Sequence, residues 1–395
     1  MTLLPGLLTI DEALARVLER TRPLEAEEVD VGGAAGRVLA ESPRAAVDLP
    51  PFPSSAMDGY AVRAADTPAR LEVVDESAAG RPAAAGVGQG EAIRISTGAV
   101  VPDGADAVVP VERTDGGSAV VEVEQVAPGE NVRPAGGDTA AGAAVVEAGT
   151  SIGPAQVGAL AAAGVVSVRC GRRPRVALLA TGSELRAPGE ALGPGQIYES
   201  NTPMLAAQVR TAGGEPFLLG VVADDEAATR DALERGLEAD VLVTSGGVSV
   251  GEHDLVRSLL ATLGAEEVFW RVAVKPGKPV AFAVHGETLV FGLPGNPVSS
   301  LVGFELFVRP ALRALQGAAE PGPRYLPGRL AAPLVRSAAR DQLVRARVET
   351  GGLLRPLRGQ ESHMIARAAA ANALVLVPRG EGELPSDAEV SWLPV

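Results

Sequence analysis

Only two residues of this 395-residue chain are lysines, Lys275 and Lys278, although Lys and Arg together number 35. Both flank the turn in Val274-Lys275-Pro276-Gly277-Lys278-Pro279. Arginine presents a planar fork, whereas lysine is a compact, strongly hydrated point charge, so the two differ at a tight anion site. Two lysines beside a Pro-Gly turn therefore suggest a place that needs small ammonium groups. The plain alternative is a solvated turn with incidental charges. Their company favours the first reading. Thr244-Ser245-Gly246-Gly247-Val248-Ser249 lies upstream, and Gly292-Leu293-Pro294-Gly295-Asn296-Pro297 downstream. Glycines let backbone approach an anion closely, and a helix N-terminus adds free N–H donors with partial positive charge. Glu184, Asp224 and Asp254 could hold a hard cation such as Mg²⁺ through oxygen. Each acid has a second reading as a helix cap, and capping and metal binding can coexist.

Two other chemistries are set aside. Gly247-Val248-Ser249-Val250-Gly251 matches the nucleophile-elbow pattern, but an elbow serine sits at the strand-to-helix turn itself. Here two glycines precede the motif's serine, Asp254 is the expected helix cap, and no His-Gly-Gly segment lies upstream. Neither G-x-G-x-x-G nor G-x-x-x-x-G-K-[ST] occurs, so standard dinucleotide and P-loop readings have no support.

The polar segments must be positioned by strands. In open α/β sheets, ligands bind beyond the carboxyl ends of the strands. Residues 176–180 form a continuous apolar run, as expected for a strand buried on both faces. A helix capped by Asn201 or Thr202 follows, with Pro203 in its first turn and Gly213 as its stop. Strands are expected at 217–222, 241–244, 268–274, 280–284 and 288–291. Helices are expected from Asp224, from Asp254 to Gly264, and over 298–315. This alternation predicts a doubly wound α/β domain over 174–318. Residues 1–20 read as a helix with a Thr9/Glu12 capping box. With 140–173 they suggest a mainly helical, discontinuous domain (1–48 with 140–173). Short strands at 92–95, 107–111 and 120–123 suggest an all-β insertion over 49–139. Residues 319–395, with strands at 374–377 and 390–393, suggest a small β module. The expected fold is thus multidomain, α/β plus β.

Composition narrows the function. The chain should hold roughly two to four domains. It is 46% hydrophobic but only 3% aromatic, so its cores are built from small side chains. A net charge of −14 argues against general nucleic-acid binding, which needs a basic footprint. One cysteine, Cys170, and three scattered histidines exclude an intrachain disulfide and offer no zinc-like spacing. The N-terminus lacks a basic n-region, and residues 155–168 are too short and too broken by glycine to cross a bilayer. A cytoplasmic protein without a membrane partner is the expectation.

Pro51-Phe52-Pro53-Ser54-Ser55-Ala56-Met57-Asp58-Gly59-Tyr60-Ala61 closely resembles the signature near the start of the molybdopterin molybdenumtransferase family, which includes the E domain of gephyrin. The same order of motifs continues through Ile95-Ser96-Thr97-Gly98, Gly136-Gly137-Asp138 and Thr181-Gly182-Ser183-Glu184-Leu185. It then runs through the segments at 244–251, 275–279 and 292–297, nearly the whole chain. The resemblance implies an Mg²⁺-dependent homodimer that takes adenylylated molybdopterin and molybdate, inserts molybdenum and releases AMP. A molybdopterin adenylyltransferase would be the partner that supplies the substrate. The insertion of one subunit would face the α/β domain of the other. Asp58, Thr97 and Asp138 would come from the insertion, and Glu184, Asp224, Asp254, Lys275 and Lys278 from the α/β domain. The substrate would be lined by Ser245, Gly246, Gly247, Ser249, Arg271, Pro294, Gly295, Asn296 and Pro297. Arg345 and Ser362 resemble a region linked to anion binding. Ser183 stands where an aspartate is common, and Arg271 where a lysine is common. Two further readings are an adenylyltransferase-like enzyme and a non-catalytic pterin-binding scaffold. The motif around Asp58 and the C-terminal module speak against the first, and the intact acids and lysines against the second.

Overall fold

The computed structural model describes residues 7–223, 225–246 and 255–395. The apolar run at 176–180 lies in the strand Arg175–Thr181, buried over nearly its whole length. It pairs in parallel with Glu215–Val222 on one side and Val241–Ser245 on the other. Thr288–Leu293 continues the parallel sheet beside Val241–Ser245. Ala281–His285 and Glu266–Trp270 complete it in antiparallel pairings. Pairing partners run in one row from Gly220 through Leu179, Thr244, Gly292 and Ala281 to Trp270. The residues just beyond that row form one edge: Thr181, Ser245, Leu293, Val280 and Arg271. From the strand of Thr181 to that of Arg271 is four inter-strand steps, about 19 Å.

A long helix follows this sheet. It is α-helical over Pro297–Gly303 and Arg309–Leu315, with a π-helical stretch at Phe304–Val308 between them. Pro310 has no N–H to donate, and the wide turn immediately precedes it. The Glu226–Gly236 helix is capped by Asp225, whose side chain accepts the Ala228 N–H; the expected start at Asp224 lies outside the described residues. The Asn201–Thr211 helix departs from expectation. Ser200 holds the cap position without a side-chain bond, and Glu199 accepts the Thr202 N–H at 2.8 Å. The difference arises because neighbouring polar residues compete for one cap.

The first helix, Ile10–Arg20, has the expected capping box. Its apolar stripe of Ile10, Ala13 and Val17 packs in the same core as Phe304, Phe307 and Leu312 of the long helix. It therefore joins the α/β layer rather than residues 140–173. The rest of the N-terminal region is less helical than the sequence suggests. Ala26–Asp30 pairs with Ser167–Gly171, and among the described residues its helices are Pro154–Ala162 and a 3₁₀ turn at Val31–Gly33. The glycines at 32, 33 and 36 limit residues 28–39 to that short 3₁₀ turn rather than an α-helix.

Leu49 and Thr139 pair across a neck, with the Leu49 N–H on Thr139 at 2.8 Å. Beyond it lies a five-stranded sheet of Ala107–Pro110, Gly59–Val62, Glu91–Ile95, Ala69–Ser77 and Val120–Val123, in that order. At the other end of the chain, Leu326–Leu330, Asp341–Val348, Leu353–Pro356, Ala373–Val377 and Glu389–Pro394 pair into a closed ring. Val274–Lys275 adds to it beside Asp341–Val348. Among the described residues no helix is long and apolar enough to cross a membrane.

Candidate active site

The carboxyl edge of the α/β sheet opens into a cleft of about 510 Å³, lined by Thr181, Glu184, Asn201, Ser245, Gly295, Asn296 and His363 among others. Strand order 2-1-3 puts the Arg175–Thr181 and Val241–Ser245 ends at a topological switch point, where doubly wound sheets bind ligands. Gly246 has φ +93, and a Cβ there would lie 2.7 Å from the Thr181 carbonyl oxygen. Any side chain would be strained and would force the strand ends apart. Asn201 ties this junction together. Its Nδ2 donates to Ser245 Oγ at 2.7 Å and to the Gly295 carbonyl at 2.7 Å, while its buried Oδ1 has no partner. The expected strand-end residues Ser245, Gly246, Pro294, Gly295, Asn296 and Pro297 are therefore brought together around one amide. Ser300 Oγ donates to the Pro294 carbonyl and fixes the start of the long helix.

The lysine turn sits against that same helix start. Gly277, at φ +107, is buried, and a Cβ on it would lie 3.5 Å from the Ser299 carbonyl oxygen. Lys275 is exposed and Lys278 half-buried. Among the described residues neither ammonium has an ion-pair partner. Arg271 adopts φ +84, and its guanidinium stacks on Trp270 at 3.6 Å from the ring centroid. Its Nε is buried without a partner. The exposed Glu184 also lacks an ion-pair partner, and its carboxylate folds over Gly182.

Other expected residues are placed differently. Asp58 Oδ1 accepts the Thr97 N–H at 2.7 Å, so those two meet. Gly59 must be glycine, since a Cβ there would lie 2.0 Å from the Val109 carbonyl oxygen. Asp138 stands at the neck, where its N–H donates to Leu49 at 2.9 Å. Among the described residues, no hydrogen bond or ion pair joins 49–139 to 174–318. Asp58, Thr97 and Asp138 are not among the residues that line the cleft of their own chain. Asp224, Gly247, Ser249 and Asp254 lie outside the described residues.

Comparison with known proteins settles the family. Residues 8–164 match the MoeA N-terminal region (domain I and II), 177–314 a probable molybdopterin binding domain, and 327–395 the MoeA C-terminal region (domain IV). A molybdopterin molybdenumtransferase 2 of Mycobacterium tuberculosis is 39% identical over 95% of this chain and 96% of its own length. The molybdopterin molybdenumtransferase of Bacillus subtilis is 36% identical over 94% and 90%. The chain belongs to the molybdopterin molybdenumtransferase family. A solved structure of a molybdopterin biosynthesis MoeA protein from Pyrococcus horikoshii has the same overall fold, with TM-score 0.85 at 30% identity over 99% of this chain and 100% of that one.

In this family member, Arg345 and Ser362 make their described contacts with backbone groups. The Arg345 guanidinium is buried and donates to the carbonyls of Gly359, Glu361 and Met364 at 2.6, 3.2 and 2.8 Å. Burial pushes its pKa down. It holds residues 359–364 in place and has few donors left for an anion. The Ser362 carbonyl accepts the Val298 N–H at 3.0 Å, which seats this segment on the long helix. Arg345→Met is expected to destabilise the protein by about 3–5 kcal/mol, because several carbonyls lose a charged donor. Thermal unfolding measures it; an unchanged Tm with a raised KM for molybdate would instead make Arg345 an anion ligand.

Glu199, Asn201 and His363 are cleft residues that the sequence did not single out. Asn201 was legible only as a cap, since nothing local shows an amide reaching strands 44 and 94 residues away. Asn201→Ala is expected to lower kcat/KM by about 10-fold or more, as two polar partners at the strand ends lose their shared donor. Steady-state kinetics on variants with matched Tm would check this.

Proposed function

We propose that the chain inserts molybdenum from molybdate into adenylylated molybdopterin, with release of AMP, completing molybdenum cofactor. The observation that carries this reading is the lysine turn seated on the first turn of the Pro297–Leu315 helix, at the carboxyl edge of the sheet. Two ammonium groups with no ion-pair partner among the described residues, glycine loops and a helix N-terminus all favour a polyanion. Cleaving the phosphoanhydride to AMP builds negative charge on the phosphate oxygens. Lys275 and Lys278 would neutralise it as it forms, and molybdate, a tetrahedral dianion, suits the same donors.

Glu184 offers an unpaired carboxylate at the cleft, which fits a hard cation. Glu184, Asp224 and Asp254 would hold Mg²⁺, which supplies further charge neutralisation at the phosphates. Among the described residues no group of three metal-ligating side chains is assembled, so Asp224 and Asp254 are essential to this part of the reading. Asp224→Asn and Asp254→Asn are expected to raise the Mg²⁺ concentration for half-maximal AMP release by about tenfold or more, because each removes one hard anionic ligand. Unchanged Mg²⁺ dependence with a lowered Tm would make them structural caps only.

The absence of Asp58, Thr97 and Asp138 from the lining of their own cleft supports a C₂ homodimer, in which the insertion of one subunit completes the site of the other. A molybdopterin adenylyltransferase would supply the activated pterin.

A further inference from the structure

The C-terminal half of the Pro297–Leu315 helix, about 12–24 Å from the helix start by helical rise, lines an arginine-rich cavity. It measures about 440 Å³ and includes Arg309, Arg313 and Arg324 in its lining. Neither Glu320 nor the terminal carboxylate at Val395, which lines the cavity, forms an ion pair with Arg313 or Arg324 among the described residues. Glu305 is engaged by Arg309, at 2.5 and 2.9 Å, and by Gln208 at 2.7 Å. Arg313 is partly buried, yet neither it nor Arg324 has an ion-pair partner among the described residues. Burial pushes the Arg313 pKa down, and the charges of Arg309 and Arg324 add to that effect, against a small opposing pull from Glu320. Guanidinium groups gathered in a partly desolvated cavity are stabilised by a multiply charged oxyanion that accepts several N–H bonds. Much of the remaining lining is apolar and stiff, with Pro310, Pro321, Pro323, Leu393 and Pro394. A simple inorganic ion would leave those residues uncovered.

We propose that this cavity binds a phosphomonoester, its phosphate held by Arg313 and Arg324 and its organic body laid on the proline-rich lining. Binding can be measured by calorimetry at low ionic strength on the full chain. A Lys275→Ala/Lys278→Ala background removes the lysine anion site from the measurement. Phenyl phosphate is expected to bind about tenfold tighter than inorganic phosphate, from burial of its ring. Arg313→Gln should weaken phenyl phosphate by about tenfold or more. Arg324 is exposed, so Arg324→Gln keeps the fold and should weaken binding by about threefold or more. If Arg313→Gln unfolds, the second variant alone decides. Unchanged affinity in Arg324→Gln, or no binding in the parent, would overturn the proposal. Equal affinity for the two probes would mean a simple phosphate site and overturn the phosphomonoester assignment.

Discussion

Alanine at Lys275 or at Lys278 is expected to lower AMP release by about 10²–10³-fold, as for loss of a single donor aimed at developing charge. The fold should survive, since Lys275 is exposed, Lys278 is half-buried and neither makes an ion pair within the described structure. Arginine should not rescue either position. The turn is pinned by buried Gly277 against Ser299, so a longer, planar head would meet the anion in a different geometry. Matched Tm values and single-turnover rates would check the prediction. Wild-type turnover in both alanine variants would remove the anion site from the account.

A second large effect is expected on mixing two inactive proteins, Asp58→Ala and Lys275→Ala. Under random subunit exchange half of the dimers are mixed, and each carries one site with both lesions and one with neither. Activity should then return to about a quarter of the wild-type level. The expectation rests on the Asp58–Thr97 pair, which makes no hydrogen bond to the described residues of the α/β domain of the same chain. No recovery despite exchange, shown by mass-tagged subunits, would place Asp58 outside a shared site.

Much of this architecture was legible in advance. The apolar run at 176–180 announced a doubly buried strand, and alternation around it announced the parallel sheet. The Gly246 and Pro294-Gly295-Asn296 segments could be placed at strand ends because the sheet's period fixes where side chains stop being buried. What escaped was long-range. The stripe on Ile10–Arg20 specifies a buried face but not its partner, so its docking on the long helix was invisible. For Arg345 the resemblance implied anion binding, and the three backbone carbonyls that accept from its guanidinium were invisible in the sequence. The cap position at Ser200 and the Glu199 bond beside it escaped the sequence, since adjacent polar side chains offer the helix N-terminus nearly equal bonds.

The most direct measurement is incubation of the purified chain with adenylylated molybdopterin, molybdate and Mg²⁺, following AMP and bound molybdenum together. The account predicts AMP release and molybdenum incorporation that each depend on all three, and that are both lost in Lys275→Ala. AMP formation from ATP and molybdopterin instead, or pterin binding with no turnover in the complete mixture, would contradict it.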